Sequence, residues 1–291
     1  MLPILLTLAL QLPQPTAIVV APGETLTVRV TGIGAPVVLI PGLFGSVQGF
    51  SRLTDNLTAL GYRVIAIEPL GIGNSSRPRG ADYTQTAQAA RVATILDTLG
   101  VGQSLIVAHS AGATIAYRLA LMHPDRVRGV ISIEGGPTEQ VGSAGARRAL
   151  SLAPLLRVMG RGATRGRVAG QLREASGQPD WVTDSVVHVY TAGASVDYGA
   201  TLRALGAMMD AVEPWPLLPA LEGLTVPVTL VLGTAPHLGG PDAQTIALME
   251  RAIPRLGIER LDGVGHYAFE EDPSALAQLV RRVDLRTVAV R

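Results

Sequence analysis

The residues best suited to do chemistry in this chain lie in Leu105-Ile106-Val107-Ala108-His109-Ser110-Ala111-Gly112. Aliphatic and β-branched residues predict a strand ending at a small residue, and Ala113, Ile115, Ala116, Leu119 and Ala120 predict a helix directly beyond it. The small side chains at 108 and 112 let strand and helix approach closely, so Ser110 is pushed outward at the apex of the turn. An oxyanion forming there meets free backbone N–H groups and the positive end of the helix dipole. That is the chemistry of a serine nucleophile, and such a serine needs a base.

His266 fits that role. It lies in Asp262-Gly263-Val264-Gly265-His266-Tyr267, a glycine-rich loop after a predicted strand (Ile258 to Leu261) and before a predicted helix from about Asp272. A single histidine is more often structural than catalytic, but a base of near-neutral pKa on a loop reaching across from another strand is what the serine requires. The other histidines are less well placed. His109 adjoins the serine and is expected to point elsewhere, His123 precedes Pro124 at a helix end, His188 lies in a helical stretch, and His237 is in a loop with no obvious partner.

With these residues in place, the chain resembles the α/β-hydrolase-fold serine hydrolases over almost its whole length from about Ala17. The resemblance extends to Val37-Val38-Leu39-Ile40-Pro41-Gly42-Leu43-Phe44-Gly45, a strand and oxyanion loop, and to Val64-Ile65-Ala66-Ile67-Glu68-Pro69-Leu70-Gly71-Ile72-Gly73-Asn74-Ser75. There are departures: Pro41 stands where many relatives have histidine, Glu68 where they have aspartate, and Ala108 replaces the first glycine of G-x-S-x-G, a lipase-like variant. None removes a group that must do chemistry. The resemblance implies a mostly parallel eight-stranded sheet with helices on both faces, a helical cap inserted after the sixth strand, and an oxyanion hole built from the Leu43 and Ala111 amides. Phe44 becomes a candidate neighbour of the acyl group.

The third member of a triad, the acid that orients the base, is less obvious. Most relatives place an aspartate just beyond the seventh strand, where this chain has Pro236. Asp242 lies further on, but Gly239-Gly240-Pro241 before it suggests a helix N-cap. Glu134 ends the predicted sixth strand in a glycine-rich exit, Glu134-Gly135-Gly136, and some relatives draw their acid from that strand. A buried carboxylate without a partner would cost several kcal/mol, which favours Glu134 facing His266. Glu134 is therefore the expected acid, with Asp242, or no carboxylate at all, as the alternatives.

Apolar runs predict strands near 17–20, 26–30, 37–40, 63–67, 104–107, 128–133, 227–232 and 257–261, and helices near 49–60, 84–99, 111–122, 242–252 and 272–283. This alternation is the signature of a mostly parallel sheet. Between Pro137 and about Glu222 the strands stop and a helical pattern takes over. The expected division is therefore a core of 22–136 and 223–291, a cap over 137–222, and residues 1–21 as a signal or N-terminal extension. The cap would sit above the strand C-termini, where open α/β sheets bind ligands. Within it, Arg147, Arg148, Arg157, Arg161, Arg165, Arg167 and Arg173 precede any acid and read as a solvated face, while Trp181, Tyr190, Tyr198, Met208, Met209 and Trp215 are candidates for cap core or pocket wall.

Composition excludes other chemistries. All 24 basic residues of the 291 are arginine, which removes any lysine Schiff base, and there is no cysteine for thiolate chemistry or disulfides. A net charge of +1 gives no reason to expect nucleic acid, and the five histidines show no metal-ligand spacing along the sequence, so no cofactor or metal is expected. Met1 to Leu12 is apolar enough to resemble an export signal but too short for a membrane span. The expected partner is a small acyl substrate, and the oligomeric state stays open. A nucleophilic serine argues against haloalkane dehalogenase and epoxide hydrolase activity, which use a carboxylate at the same turn. A carboxylesterase-like serine hydrolase leads. A slow-turnover ligand sensor of the same fold, an acyltransferase or a perhydrolase shares the residues.

Overall fold

The computed structural model describes residues 13–141 and 165–289. Eight strands are present: β1 (Thr16–Ala21), β2 (Glu24–Thr31), β3 (Ala35–Ile40), β4 (Tyr62–Glu68), β5 (Ser104–His109), β6 (Val127–Ile133), β7 (Val228–Gly233) and β8 (Leu256–Leu261). They form one sheet in the order β1-β2-β4-β3-β5-β6-β7-β8. The β1–β2 and β2–β4 pairs are antiparallel, and every pair from β4 onward is parallel. The C-terminal ends of β3 through β8 therefore open on one edge of the sheet.

The central runs 37–40 of β3 and 105–108 of β5 are apolar without a break because both faces are covered. Val38, Ile40, Ile65, Ile67, Ile106 and Ala108 pack toward α2 (Gln85–Thr98) and α3 (Gly112–Met122). Their alternates Val37, Leu39, Val64, Ala66, Leu105 and Val107 pack toward α1 (Ser51–Ala59) and the C-terminal helix Pro273–Ala289. This two-residue alternation fixes register, since a one-residue slip would exchange the two cores.

The stretch after β6 is helical where it is described: α4 (165–174), α5 (Asp184–Val196) and α6 (Tyr198–Asp210). Two further helices, α7 (Ala243–Ala252) and α8 (Pro273–Ala289), complete the core. The insertion's helices and loops lie against loops that follow strand C-termini. Gly193 of α5 leaves no room for a Cβ, which would come 2.3 Å from the Gly73 carbonyl oxygen. Arg77 donates to the Gly193 carbonyl (3.3 Å), and Leu238 N donates to the Glu174 carbonyl (3.1 Å). Arg165, Arg167 and Arg173 are exposed. Arg147, Arg148, Arg157 and Arg161, and residues 1–12 of the signal-like segment, lie outside the described residues. Among the described residues no helix is long and apolar enough to cross a membrane.

Both ends of the insertion are held by one buried side chain. The Arg118 guanidinium on α3, fully buried, pairs with Glu139 (3.3 Å) at the start of the insertion and Glu213 (3.4 Å) near its end. It also donates to the Trp215 carbonyl (3.2 Å) and lies 4.4 Å from the Trp215 ring centroid. Glu213 in turn accepts from the Gln85 and Thr86 amides (2.6 and 3.2 Å), capping α2, while Glu139 accepts from Leu218 N (2.9 Å). Trp215, a sequence candidate for the pocket wall, is thus committed to this node. Removing Arg118 leaves the buried Glu213 carboxylate uncompensated, at a cost of about 3–5 kcal/mol. Arg118→Met should lower the denaturation midpoint accordingly, whereas Glu139→Gln, on the more exposed arm, should cost under about 1 kcal/mol. Equal effects in chemical denaturation would contradict this assignment.

Candidate active site

Ser110 occupies the turn between β5 and α3 with a φ of 51°, a left-handed conformation that an L-residue adopts only under constraint. Its N–H donates to the Ile133 carbonyl (2.9 Å) and its carbonyl accepts from Ala113 N (3.0 Å). Two glycines make the turn possible. A Cβ on Gly112 would come within 2.6 Å of the Pro41 carbonyl oxygen, and one on Gly135 would come within 2.6 Å of the Ser110 carbonyl oxygen. A Cβ on Gly42 would lie 3.1 Å from the Ser110 Cβ, so the loop after β3 comes directly against the serine. The Leu43 and Ala111 amides have no acceptor among the described residues, and neither does the Ser110 hydroxyl. Phe44 beside them is 55 % exposed.

His266 sits on the loop after β8, and three elements hold that loop. Its N–H donates to the Ala175 carbonyl (2.9 Å) just beyond α4. Glu271 accepts from Gly265 N (3.1 Å) and from the Gly177 and Gln178 amides (2.8 Å each), tying the histidine loop to the insertion. His109 approaches the His266 carbonyl at 3.0 Å through Nε2, which must carry the hydrogen because a carbonyl only accepts. His109 is buried with its ring centroid 4.5 Å from that of His266. Its ring is turned toward His266. Burial, then the nearby His237, lowers His266 to about 4, so its imidazole is neutral at pH 7.

Glu134 ends β6 with the same φ of 51° as Ser110, and its carboxyl is buried. One oxygen accepts from Gly233 N and the other lies 3.3 Å from His237 Nε2. Burial raises its pKa, and the Gly233 amide and His237 oppose that shift. His237 therefore has a partner, contrary to the reading of its loop from sequence. Its place a few residues past β7, on the edge where the strands end, was the available signal. Glu134, His237 and His266 each offer a ligand atom within 4.8 Å of the others, yet His266 Nδ1 makes no hydrogen bond among the described residues. Asp242 is spent elsewhere: it is the N-cap of α7, exposed, accepting from Thr245 N (2.7 Å), which holds its carboxyl below the usual range.

Glu68, where relatives have aspartate, braces the site rather than entering it. Its buried carboxylate accepts from Val47 N (2.9 Å) and Asn74 N, linking the loops after β3 and β4. An aromatic wall flanks the base: the Tyr267 ring lies 5.2 Å from His266 and 5.4 Å from Trp181, with Tyr190 6.0 Å from Tyr267. Met208 and Met209 are buried, Met208 against Gly71 in the main core, and Tyr198 begins α6 half-buried.

A family profile described as alpha/beta hydrolase fold matches residues 35–153. Over 272 residues the chain is 28 % identical to a protein of Mycobacterium tuberculosis (strain ATCC 25618 / H37Rv) described only as uncharacterized, covering 87 % of this chain and 76 % of that one. Over 115 residues it is 34 % identical to 2-hydroxymuconate semialdehyde hydrolase of Pseudomonas sp. (strain CF600), covering 39 % of this chain and 41 % of the relative. Among solved structures, a thermophilic esterase from Thermogutta terrifontis superimposes with a TM-score of 0.75 at 22 % identity, covering 94 % of this chain and 99 % of that one. These likenesses show the alpha/beta hydrolase fold.

The contact between α5 and the short helix Ala268–Glu271 beyond His266 carries a pH dependence. Tyr190 donates to Glu270 (3.1 Å), and Arg52 lies 3.8 Å away. Burial dominates, raising the Glu270 carboxyl to about 7 from 4.5 despite both partners. The folded chain thus holds a proton that the unfolded chain releases. This stability is fully present below about pH 4.5 and is lost as pH rises to about 7, by roughly 3 kcal/mol. Glu270→Gln, which still accepts from Tyr190, should flatten that slope. Parallel melting curves for variant and wild type from pH 4.5 to 8 would refute it.

Proposed function

We propose that this hydrolase of the alpha/beta hydrolase fold is a serine hydrolase cleaving a carboxylic ester or related acyl substrate through an acyl-enzyme. The observation that carries the reading is Ser110 held at positive φ on the edge where the parallel strands end, with the Leu43 and Ala111 amides unengaged.

In this reading the Ser110 hydroxyl attacks the substrate carbonyl carbon while His266 Nε2 takes its proton. The Leu43 and Ala111 amides bind the oxyanion, and each is worth about 10²–10³ in rate by the measured behaviour of such donors. His266 returns the proton to the leaving alcohol, then activates water to release the acyl group. Glu134 holds the imidazolium through Nδ1. Its support is that its carboxylate lies within 4.8 Å of a His266 ring nitrogen, together with the lack of a hydrogen-bond partner for Nδ1 among the described residues. The bond requires the carboxylate oxygen to turn from His237 toward His266, a tightening expected when substrate binds. The stretch 137–222 acts as the cap, and Trp181 and Tyr190 from it, with Tyr267, line the acyl side of the pocket.

Steady-state hydrolysis of p-nitrophenyl esters tests the assignment. Ser110→Ala should lower kcat at least about a thousandfold with the fold intact. Glu134→Gln should lower it at least about a hundredfold, since the charge that stabilises imidazolium is gone. Asp242→Asn should change it less than about fivefold, because asparagine also caps helices. A Ser110→Ala variant keeping a tenth of wild-type turnover would end the reading, and a large loss confined to Asp242→Asn would reassign the acid.

A further inference from the structure

Glu134, His237 and His266 come from three loops, after β6, β7 and β8, and are the one group of three such side chains found clustered among the described residues. His237 Nδ1 lies 2.7 Å from the Ala235 carbonyl oxygen, so Nδ1 carries the hydrogen. In the neutral ring Nε2 then turns a lone pair toward Glu134 Oε2, 3.3 Å away. Two acceptors facing each other need a proton or a cation between them. His266 Nδ1 is buried and has no hydrogen-bond partner among the described residues. Gly239 and Gly240 keep the space open: a Cβ on the first would come 2.8 Å from His266 Nδ1, and on the second 2.0 Å from Glu134 Oε2.

These distances suit a small tetrahedral ion. Two ligand atoms held at 2.0–2.1 Å on one zinc ion are about 3.3–3.4 Å apart, the spacing Glu134 and His237 already have. His266, within 4.8 Å of both, needs to close by at most about 1.5 Å. The supporting contacts of a metal site are also in place. The Ala235 carbonyl orients His237 and the Gly233 amide orients Glu134. Access runs through the loop 234–240, where Thr234, Pro236, Leu238, Gly239 and Gly240 are exposed.

We propose that Glu134, His237 and His266 form an inhibitory binding site for a divalent transition-metal ion of the zinc class. Two imidazole nitrogens and one carboxylate oxygen select zinc, copper or nickel over magnesium or calcium. Binding stands on this geometry alone, while its consequence rests on the reading of His266 as the base. The ion takes the Nδ1 lone pair, the ring hydrogen moves to Nε2, and any proton shared by Glu134 and His237 passes to water. Nothing is oxidised or reduced. With Nε2 protonated, His266 has no lone pair for the Ser110 proton, and acylation stops.

The test uses the untagged, chelator-stripped chain, with Co²⁺ as a spectroscopic probe and Zn²⁺ as inhibitor. A single Co²⁺ should bind with the visible absorption of a low-symmetry nitrogen–oxygen site, and Zn²⁺ should displace it. Micromolar Zn²⁺ should lower p-nitrophenyl acetate turnover at least about tenfold, with EDTA restoring it, and His237→Gln should weaken Co²⁺ binding at least about a hundredfold. Ser110→Ala should bind Co²⁺ as the wild type does, so failure of the serine reading and failure of the metal site are separately visible. No stoichiometric Co²⁺ binding by the wild-type chain would overturn the proposal. So would binding that survives both His237→Gln and Glu134→Gln.

Discussion

Everything at the candidate site depends on the close approach at the end of β5. Strand, turn and helix reverse within Ser110-Ala111, and the turn fits only because Gly112 lies against the Ile40 and Pro41 carbonyls and Gly135 against the Ser110 carbonyl. A non-glycine residue at positive φ costs about 1–3 kcal/mol, and here the turn is fixed by the packed sheet on both sides. Glu134, at the end of the adjacent strand β6, shares that conformation with the same φ of 51°. Two strained residues, a serine and a glutamate, thus sit at neighbouring strand ends on the same edge of the sheet.

His266 is positioned differently, by loops rather than by a strand end. His266 owes its place to His109, to Glu271 and to the Ala175 carbonyl. The last of these belongs to the inserted stretch and holds the His266 backbone N–H, so a shift of that stretch is passed to the His266 backbone. The insertion is in turn fastened at its two ends by Arg118 and over the histidine loop by the Tyr190–Glu270 bond. The inserted stretch and the His266 loop are therefore mechanically linked.

Sequence periodicity carried most of this fold. The eight predicted runs coincide with the eight strands: the central β3 and β5 carry apolar runs because both faces are covered, while β1, β2 and β8 include polar residues. Ser110 was legible from small neighbours that only a tight turn demands, and Asp242 from the glycines that mark a helix start. His237 and His109 were not. Their roles arise from partners 103 and 157 residues away, and no local pattern encodes a contact of that range. Arg118 was hidden for the same reason: a charged residue in an apolar helix gives no hint that it will be fully buried between two glutamates.

The central claim, an activated serine at the β5–α3 turn, is tested most directly by a fluorophosphonate probe with mass-spectrometric mapping of the adduct. Such reagents phosphonylate a serine only where a neighbouring base takes its proton and nearby amides stabilise the developing oxyanion. The account predicts rapid, single-site labelling at Ser110 that is lost in His266→Gln. Labelling at another residue, no labelling at all, or a Ser110 rate unchanged by His266→Gln would contradict it.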